Sequence, residues 1–326
     1  MRSPLDRLRS ASVLIQFLAM GLVWGSSFLF MKVALTGVSF GQVAWTRAIL
    51  GAITLAIMFV ISRSKLPRDP RVWAHFLVLA VVNCVGPYLL YAWAEQYVAS
   101  SLASIYNAVT PIMTALMVSL AFRVEKLTRG QLLGILLGIL GVLVIIGPWR
   151  PGALAGTLLG QLACLLATAC YGFTYGYTRR FLAPRELSGL TLATLNIGVA
   201  GVLMVILTPV LAWRPVHLDV WIVGSLALLG ALGTGFAYVW NFTVMRSWGA
   251  TRTSTVTYLT PVVGVALGIL LLGERLSWNE PVGAAVVLLG ILFAQQRLRL
   301  RRRTGSTAAV VPEAVAEDAL ESEHER

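Results

Sequence analysis

From about residue 12 to residue 298 the chain is a train of apolar runs, each cut from the next by a few charged, proline or glycine residues. A bilayer's hydrocarbon core, about 30 Å thick, takes about 20 apolar residues in a helix. Within it every backbone N–H and C=O needs an internal partner, which only helices and closed barrels supply. The runs lack the polar–apolar alternation of a membrane barrel. Ten helical spans are therefore expected, near residues 12–34, 40–61, 72–93, 98–121, 129–147, 153–177, 188–211, 219–241, 251–272 and 281–298. Only 12% of the residues are charged, against about 25% in a soluble domain. So little charge could not clothe a water-soluble fold of 326 residues.

An even number of spans puts both termini on one side. With the N-terminus in the cytoplasm, 21 of the 26 Lys and Arg fall in inner segments, and three fall in outer loops, Arg150, Arg214 and Arg275. Lys32 and Arg47 lie within spans. This is the positive-inside pattern. It predicts a multi-pass protein of the inner (cytoplasmic) membrane with both termini cytoplasmic, and it accounts for the net charge of +12 without nucleic acid as a partner. The first run follows Arg2, Arg7 and Arg9, yet it is longer than a signal-peptide core and has no small-x-small cleavage site, so a retained helix is expected. Residues 299–326 are basic and then acidic, and are expected to be disordered. Cys84, Cys164 and Cys170 lie in apolar runs without metal-ligand spacing, so they are read as packing residues, with no metal and no cofactor.

Two stretches about 150 residues apart echo one another: "VTPIMTALMVSLAFRVEKL" from Val109 and "LTPVVGVALGILLLGERL" from Leu259. Each has Thr-Pro, an apolar run, then Glu, a basic residue and Leu. Pro111 and Pro261 fall in the fourth and ninth spans, and because five is odd the two copies cross the membrane in opposite directions. "WGSSF" at Trp24 and "YGFTY" at Tyr171 agree with the same offset. The fold expected is therefore an all-α polytopic membrane protein, ten transmembrane helices as a 5+5 inverted repeat. Its units are residues 12–147 and 153–298, after a cytoplasmic N-terminus at 1–11. Inverted repeats are characteristic of secondary transporters, which expose a midplane site to each side in turn. A proline within a span frees a carbonyl and bends the helix, so Pro111 and Pro261 are read as helix kinks, either lining a cavity or only shaping the packing.

These residues resemble a known family. "VWGSSFLFMKVAL" is similar to the N-terminal motif of EamA-type members of the drug/metabolite transporter superfamily. Their recurrent Pro…Gly-Glu-Arg…Gly pattern resembles Pro261, Gly273, Glu274, Arg275 and Gly283. The earlier copy is looser, with Arg123-Val124-Glu125-Lys126 in that place. The resemblance covers about residues 12–298 and implies transport of small metabolites, often export of amino acids, through a central cavity lined by both halves. A drug or toxic-compound exporter is the rival within transport. An enzyme acting on lipid would need a catalytic cluster at one interface; three scattered histidines (His75, His217, His324) and no acidic pair do not make one.

Polar and aromatic groups within spans are the candidates for a substrate cavity: Trp24, Ser27, Asn83, Tyr88 and Tyr91, then Asn107, Tyr171, Tyr175, Tyr238 and Tyr258. Aromatics with one polar tip suit zwitterionic or mildly apolar solutes. Arg47, about two turns inside the second span, joins them. A guanidinium at that depth is costly unless paired, either with helix-end carbonyls or with a substrate carboxylate. Lys32 is expected to snorkel to the headgroups; Glu95, at the outer end of the third span, is either interfacial or the one carboxylate placed to serve as a proton relay. Trp73, Trp149, Trp213, Trp221 and Trp278 near span ends read as an aromatic belt. Gly134, Gly138 and Gly141, with Gly283 and Gly290, present small faces suited to close helix packing or to a homodimer face. The partners expected are a small-molecule solute and the lipid bilayer.

Overall fold

The structure is a computed structural model that describes residues 4–124, 127–149, 157–182, 185, 187–248, 253 and 256–295, with the side chains of 4–11, 242, 245 and 246 left aside. Glu125 and the basic and acidic tail lie outside the described residues. Eight helices are long and apolar enough to cross a membrane: α1 (Ser12–Ala34), α2 (Phe40–Ile61), α3 (Pro70–Ala94), α4 (Ser100–Ala121), α5 (Arg129–Ile146), α6 (Leu158–Leu182), α7 (Gly189–Ile206) and α8 (Val220–Asn241). Two shorter apolar helices follow, α9 (Val256–Leu272) and α10 (Asn279–Ala294). The protein is a multi-pass helical membrane protein. The end at which α1 finishes is called the upper end below, and the opposite one the lower end.

Helix starts repeat between the halves, because matched positions carry the same kind of cap. Ser39 and Ser188 accept from the backbone N–H three residues on, at the starts of α2 and α7. Asp69 and Asp219 cap α3 and α8. Thr128 with Gln131 forms a reciprocal capping box at α5, and at α10 the Ser277 N–H donates to Glu280. Each cap satisfies an orphan N–H of a helix's first turn.

The packing obeys the same duplication. α2 packs on α7, α5 on α10, and α4 on α9; α1 lies against α9 and α8, and α6 against α4 and α3. Advancing every helix by five returns the same set of pairs. α5 and α10 approach closely, where glycines meet reciprocally. A Cβ on Gly134 would stand 2.5 Å from the Gly290 carbonyl oxygen, and one on Gly283 would stand 2.7 Å from that of Gly141. These glycines are therefore used inside the chain, in close helix packing.

Pro111 opens a restarted helix, Thr110–Leu116, after Ser100–Asn107 ends, whereas Pro261 lies inside the continuous α9. The two prolines thus act differently. Both α3 and α8 contain a stretch of wide, π-type turns, at Ala80–Val85 and Leu228–Phe236. Such turns disturb the backbone ladder and recur at functional sites.

Candidate functional site

Between the halves lies a cavity of about 130 Å³, walled by α1, α2, α3, α4, α6, α8 and α9. Ten of the eleven residues picked from the sequence stand around it: Trp24, Ser27, Arg47, Asn83, Tyr88, Tyr91, Asn107, Tyr171, Tyr175 and Tyr238. Tyr258 does not; its hydroxyl donates to Gln295 at the end of α10. Phe28, Met31, Thr110, Thr257 and Thr260 complete the wall. Two of these five were signalled in the sequence, since Thr110 and Thr260 are the threonines of the repeated Thr-Pro pairs.

Arg47 is positioned by two contacts. Its guanidinium carbon lies 4.2 Å from the Tyr88 ring centroid, a cation–π contact of the kind worth about 2 kcal/mol when desolvated. Its Nε donates to Thr234 Oγ1 at 3.2 Å. Thr234 belongs to the wide-turn stretch of α8 and donates in turn to the Leu229 carbonyl at 3.1 Å. The neighbouring Gly233 carbonyl accepts from Trp24 Nε1 at 3.1 Å. The wide turns of α8 thus tether both a cation and an indole of the opposite half. Among the described residues Nε is the only guanidinium nitrogen of Arg47 with a hydrogen bond, and no carboxylate lines the cavity.

Rings make the rest of the wall. Trp24 sets its edge against Tyr238 with centroids 6.0 Å apart, and Tyr91 stacks on Tyr171 at 6.3 Å. The Tyr91 hydroxyl donates to Asn107 Oδ1 at 3.3 Å. Two polar atoms of the wall, Tyr88 Oη and Thr110 Oγ1, are buried without a partner among the described residues. Buried polar atoms are paired in the great majority of cases, so these two, beside the free guanidinium edge, mark where a hydrogen-bonding guest fits. Exposure is graded along the cavity: Met31 and Tyr91, toward the upper end, are each 2% exposed, whereas Tyr175, toward the lower end, is 57% exposed. The mouth faces the lower end.

Two residues placed at the membrane surface from the sequence sit differently. Lys32 does not snorkel; its ammonium donates to the carbonyls of Glu95, the C-cap of α3, and Val98, in the connection to α4. Glu95 is fully buried rather than interfacial. Trp73, Trp149, Trp213, Trp221 and Trp278 are exposed.

Fold and cavity together define a multi-pass membrane protein of two like halves enclosing a largely aromatic chamber that holds one arginine. The profile of the EamA-like transporter family matches residues 11–147 and again 158–295, and the chain belongs to that family. It is 23% identical over 287 residues to "Uncharacterized transporter YoaV" of Bacillus subtilis (strain 168), covering 86% of this chain and 96% of that one. It is 26% identical over 288 residues to "Probable terminal-alkyne amino-acid exporter" of Streptantibioticus cattleyicolor, covering 88% and 94%. One solved crystal structure superposes with a TM-score of 0.61 at 19% identity, covering 88% of this chain and 98% of that one, and shares the fold.

Proposed function

We propose that this EamA-like transporter is a secondary carrier of the inner membrane that exports amino acids or related carboxylate-bearing metabolites by alternating access. The observation that carries the reading is the free edge of Arg47 in a chamber without carboxylates. A guanidinium fork matches a carboxylate in two parallel hydrogen bonds. The faces of Trp24 and the tyrosines suit an ammonium or a short apolar side chain. Size agrees, since 130 Å³ falls short of the roughly 300 Å³ at which drug-sized pockets begin. That favours small metabolites over drugs. The name of the Streptantibioticus relative supports an amino-acid cargo. The Lys/Arg asymmetry of the loops supports cytoplasmic termini, which turns the mouth at Tyr175 toward the cytoplasm, as loading for export requires. Residues 12–147 and 153–298 are the two units that rock against one another.

The test is counterflow in proteoliposomes with a panel of radiolabelled amino acids. Saturable exchange of at least one, absent from empty liposomes, is expected, with Arg47→Ala reducing it at least tenfold and Arg47→Lys, which keeps the charge but loses the fork, also impaired. Thermal unfolding of both variants separates a binding role from a structural one. Full exchange by a folded Arg47→Ala protein would remove the carboxylate reading.

A further inference from the structure

At the upper end α1 and α3 meet through side chains. Phe28 sets its edge on Tyr91 with centroids 5.4 Å apart. One turn higher Lys32 reaches across to the carbonyl oxygens of Glu95 and Val98, the latter at 2.9 Å. A helix leaves its last carbonyls without internal partners, and its dipole favours a cation there. This lysine bridge closes the cavity above Met31 and Tyr91.

Glu95 sits inside that closure. It is 0% exposed, and neither carboxylate oxygen has a hydrogen-bond partner among the described residues. The titratable and charged groups around it are Lys32 from α1, Arg47 from α2, Tyr91 on its own helix, Cys164 from α6 and Glu274 from the α9–α10 loop. α4 brings the serines Ser100 and Ser101, whose N–H groups are committed to Glu274. Lys32 lies close enough to act on Glu95 through its charge, but the hydrogen bonds it makes go to two carbonyls and none goes to the carboxylate. A carboxylate buried without donors is strongly disfavoured, and a carboxyl so placed holds its proton.

We propose that Glu95 is a proton-binding site whose occupancy sets the upper closure. With the proton on, Lys32 holds the carbonyls of Glu95 and Val98. When the O–H bond breaks and the proton passes to water at the upper end, the new carboxylate draws the ammonium off those carbonyls. Its demand for hydration then favours the state in which the upper end is open. The latch rests on the alternating-access reading for its role in transport, but not for its existence, and it is independent of the cargo.

The experiment needs no substrate. In the full-length chain with Cys84, Cys164 and Cys170 replaced by alanine, Met31→Cys places a thiol on the cavity wall just below the latch. Its labelling by a membrane-impermeant maleimide, added only to the upper face in right-side-out vesicles so that the lower mouth is not reached, is followed across external pH, with and without Glu95→Gln. The ratio of the two rates cancels the thiol's own titration. The ratio is expected to rise with pH by up to about tenfold per unit, the slope of one linked proton. Lys32→Met is expected to label faster than Glu95→Gln at every pH. Infrared spectra of the otherwise native chain are expected to hold the C=O stretch of a protonated carboxyl that Glu95→Gln abolishes. A ratio that does not change with pH, a Lys32→Met rate no higher than that of Glu95→Gln, or a spectrum without that band would each overturn the proposal. Because none of these readings involves flux, failure of the latch is distinguishable from failure of the carrier assignment.

Discussion

Gly273 and Glu274 show how two residues of the repeated sequence work as one device. Gly273 has φ of 64°, in the left-handed region, and turns the chain sharply after α9. Glu274 then reaches the start of α4, accepting from the N–H groups of Ser100 at 2.7 Å and Ser101 at 2.9 Å. Two orphan donors of a helix N-terminus are satisfied by a negative charge placed where the dipole favours one. Gly273→Ala should lower stability by roughly 1–2 kcal/mol, the cost of a left-handed alanine, measurable by thermal unfolding in detergent. Burial works to raise the Glu274 pKa, but hydrogen bonds from Ser101 and Ser100 outweigh it, and the carboxyl sits below its ordinary value. A depressed acid contributes stability that is complete above its unfolded pKa and is lost as pH falls through the folded one. The melting-temperature advantage over Glu274→Gln should therefore be full at neutral pH and shrink through the acid range. An advantage that does not change with pH would show that the charge is idle. In the first copy Arg123, with φ of 51°, takes the left-handed position that Gly273 holds in the second, which is why the motif reads loosely there.

At the scale of elements, the α5–α10 contact has backbone where a side chain would need to go. Gly134→Ala would bring a Cβ to 2.5 Å from both the Ala294 nitrogen and the Gly290 oxygen. The helices must separate to accept it, at an overpacking cost of about 1–3 kcal/mol. Gly198 and Gly224 meet nothing within 4 Å, so alanine there should be neutral or stabilising, by up to about 1 kcal/mol of helix propensity. Thermal unfolding of the three variants side by side checks the contrast. The wide turns of α3 and α8 had no visible signature in the sequence, because they arise from how a helix accommodates its neighbours and not from a residue type. Thr234→Val should leave the helix in place but free the Arg47 side chain, lowering counterflow several-fold with little change in melting temperature.

Across the whole molecule, spans were legible because lipid leaves a chain no alternative to long apolar helices. α2 begins and ends where the hydropathy does, whereas the helix that carries α1 starts earlier, at Pro4, and ends with the apolar run at Ala34. α6 is described from Leu158 and continues five residues past the expected end at Tyr177, through Arg179 and Arg180 to Leu182. Mid-span polar and aromatic residues gathered at the cavity for a related reason, a polar group at that depth having few other places to go. Tyr258 escaped because its partner, Gln295, lies at the far end of another helix. Lys32 and Glu95 were misjudged because distance from a helix end tells depth but not what packs above. The central claim is that this cavity, shut above by Lys32 and open below at Tyr175, is the pathway itself. The direct measurement is side-specific labelling of a single cysteine at Thr110, in the cysteine-free chain, by an impermeant thiol reagent in right-side-out and in inverted vesicles. The account predicts reaction from both faces, and reaction from one face only would contradict it.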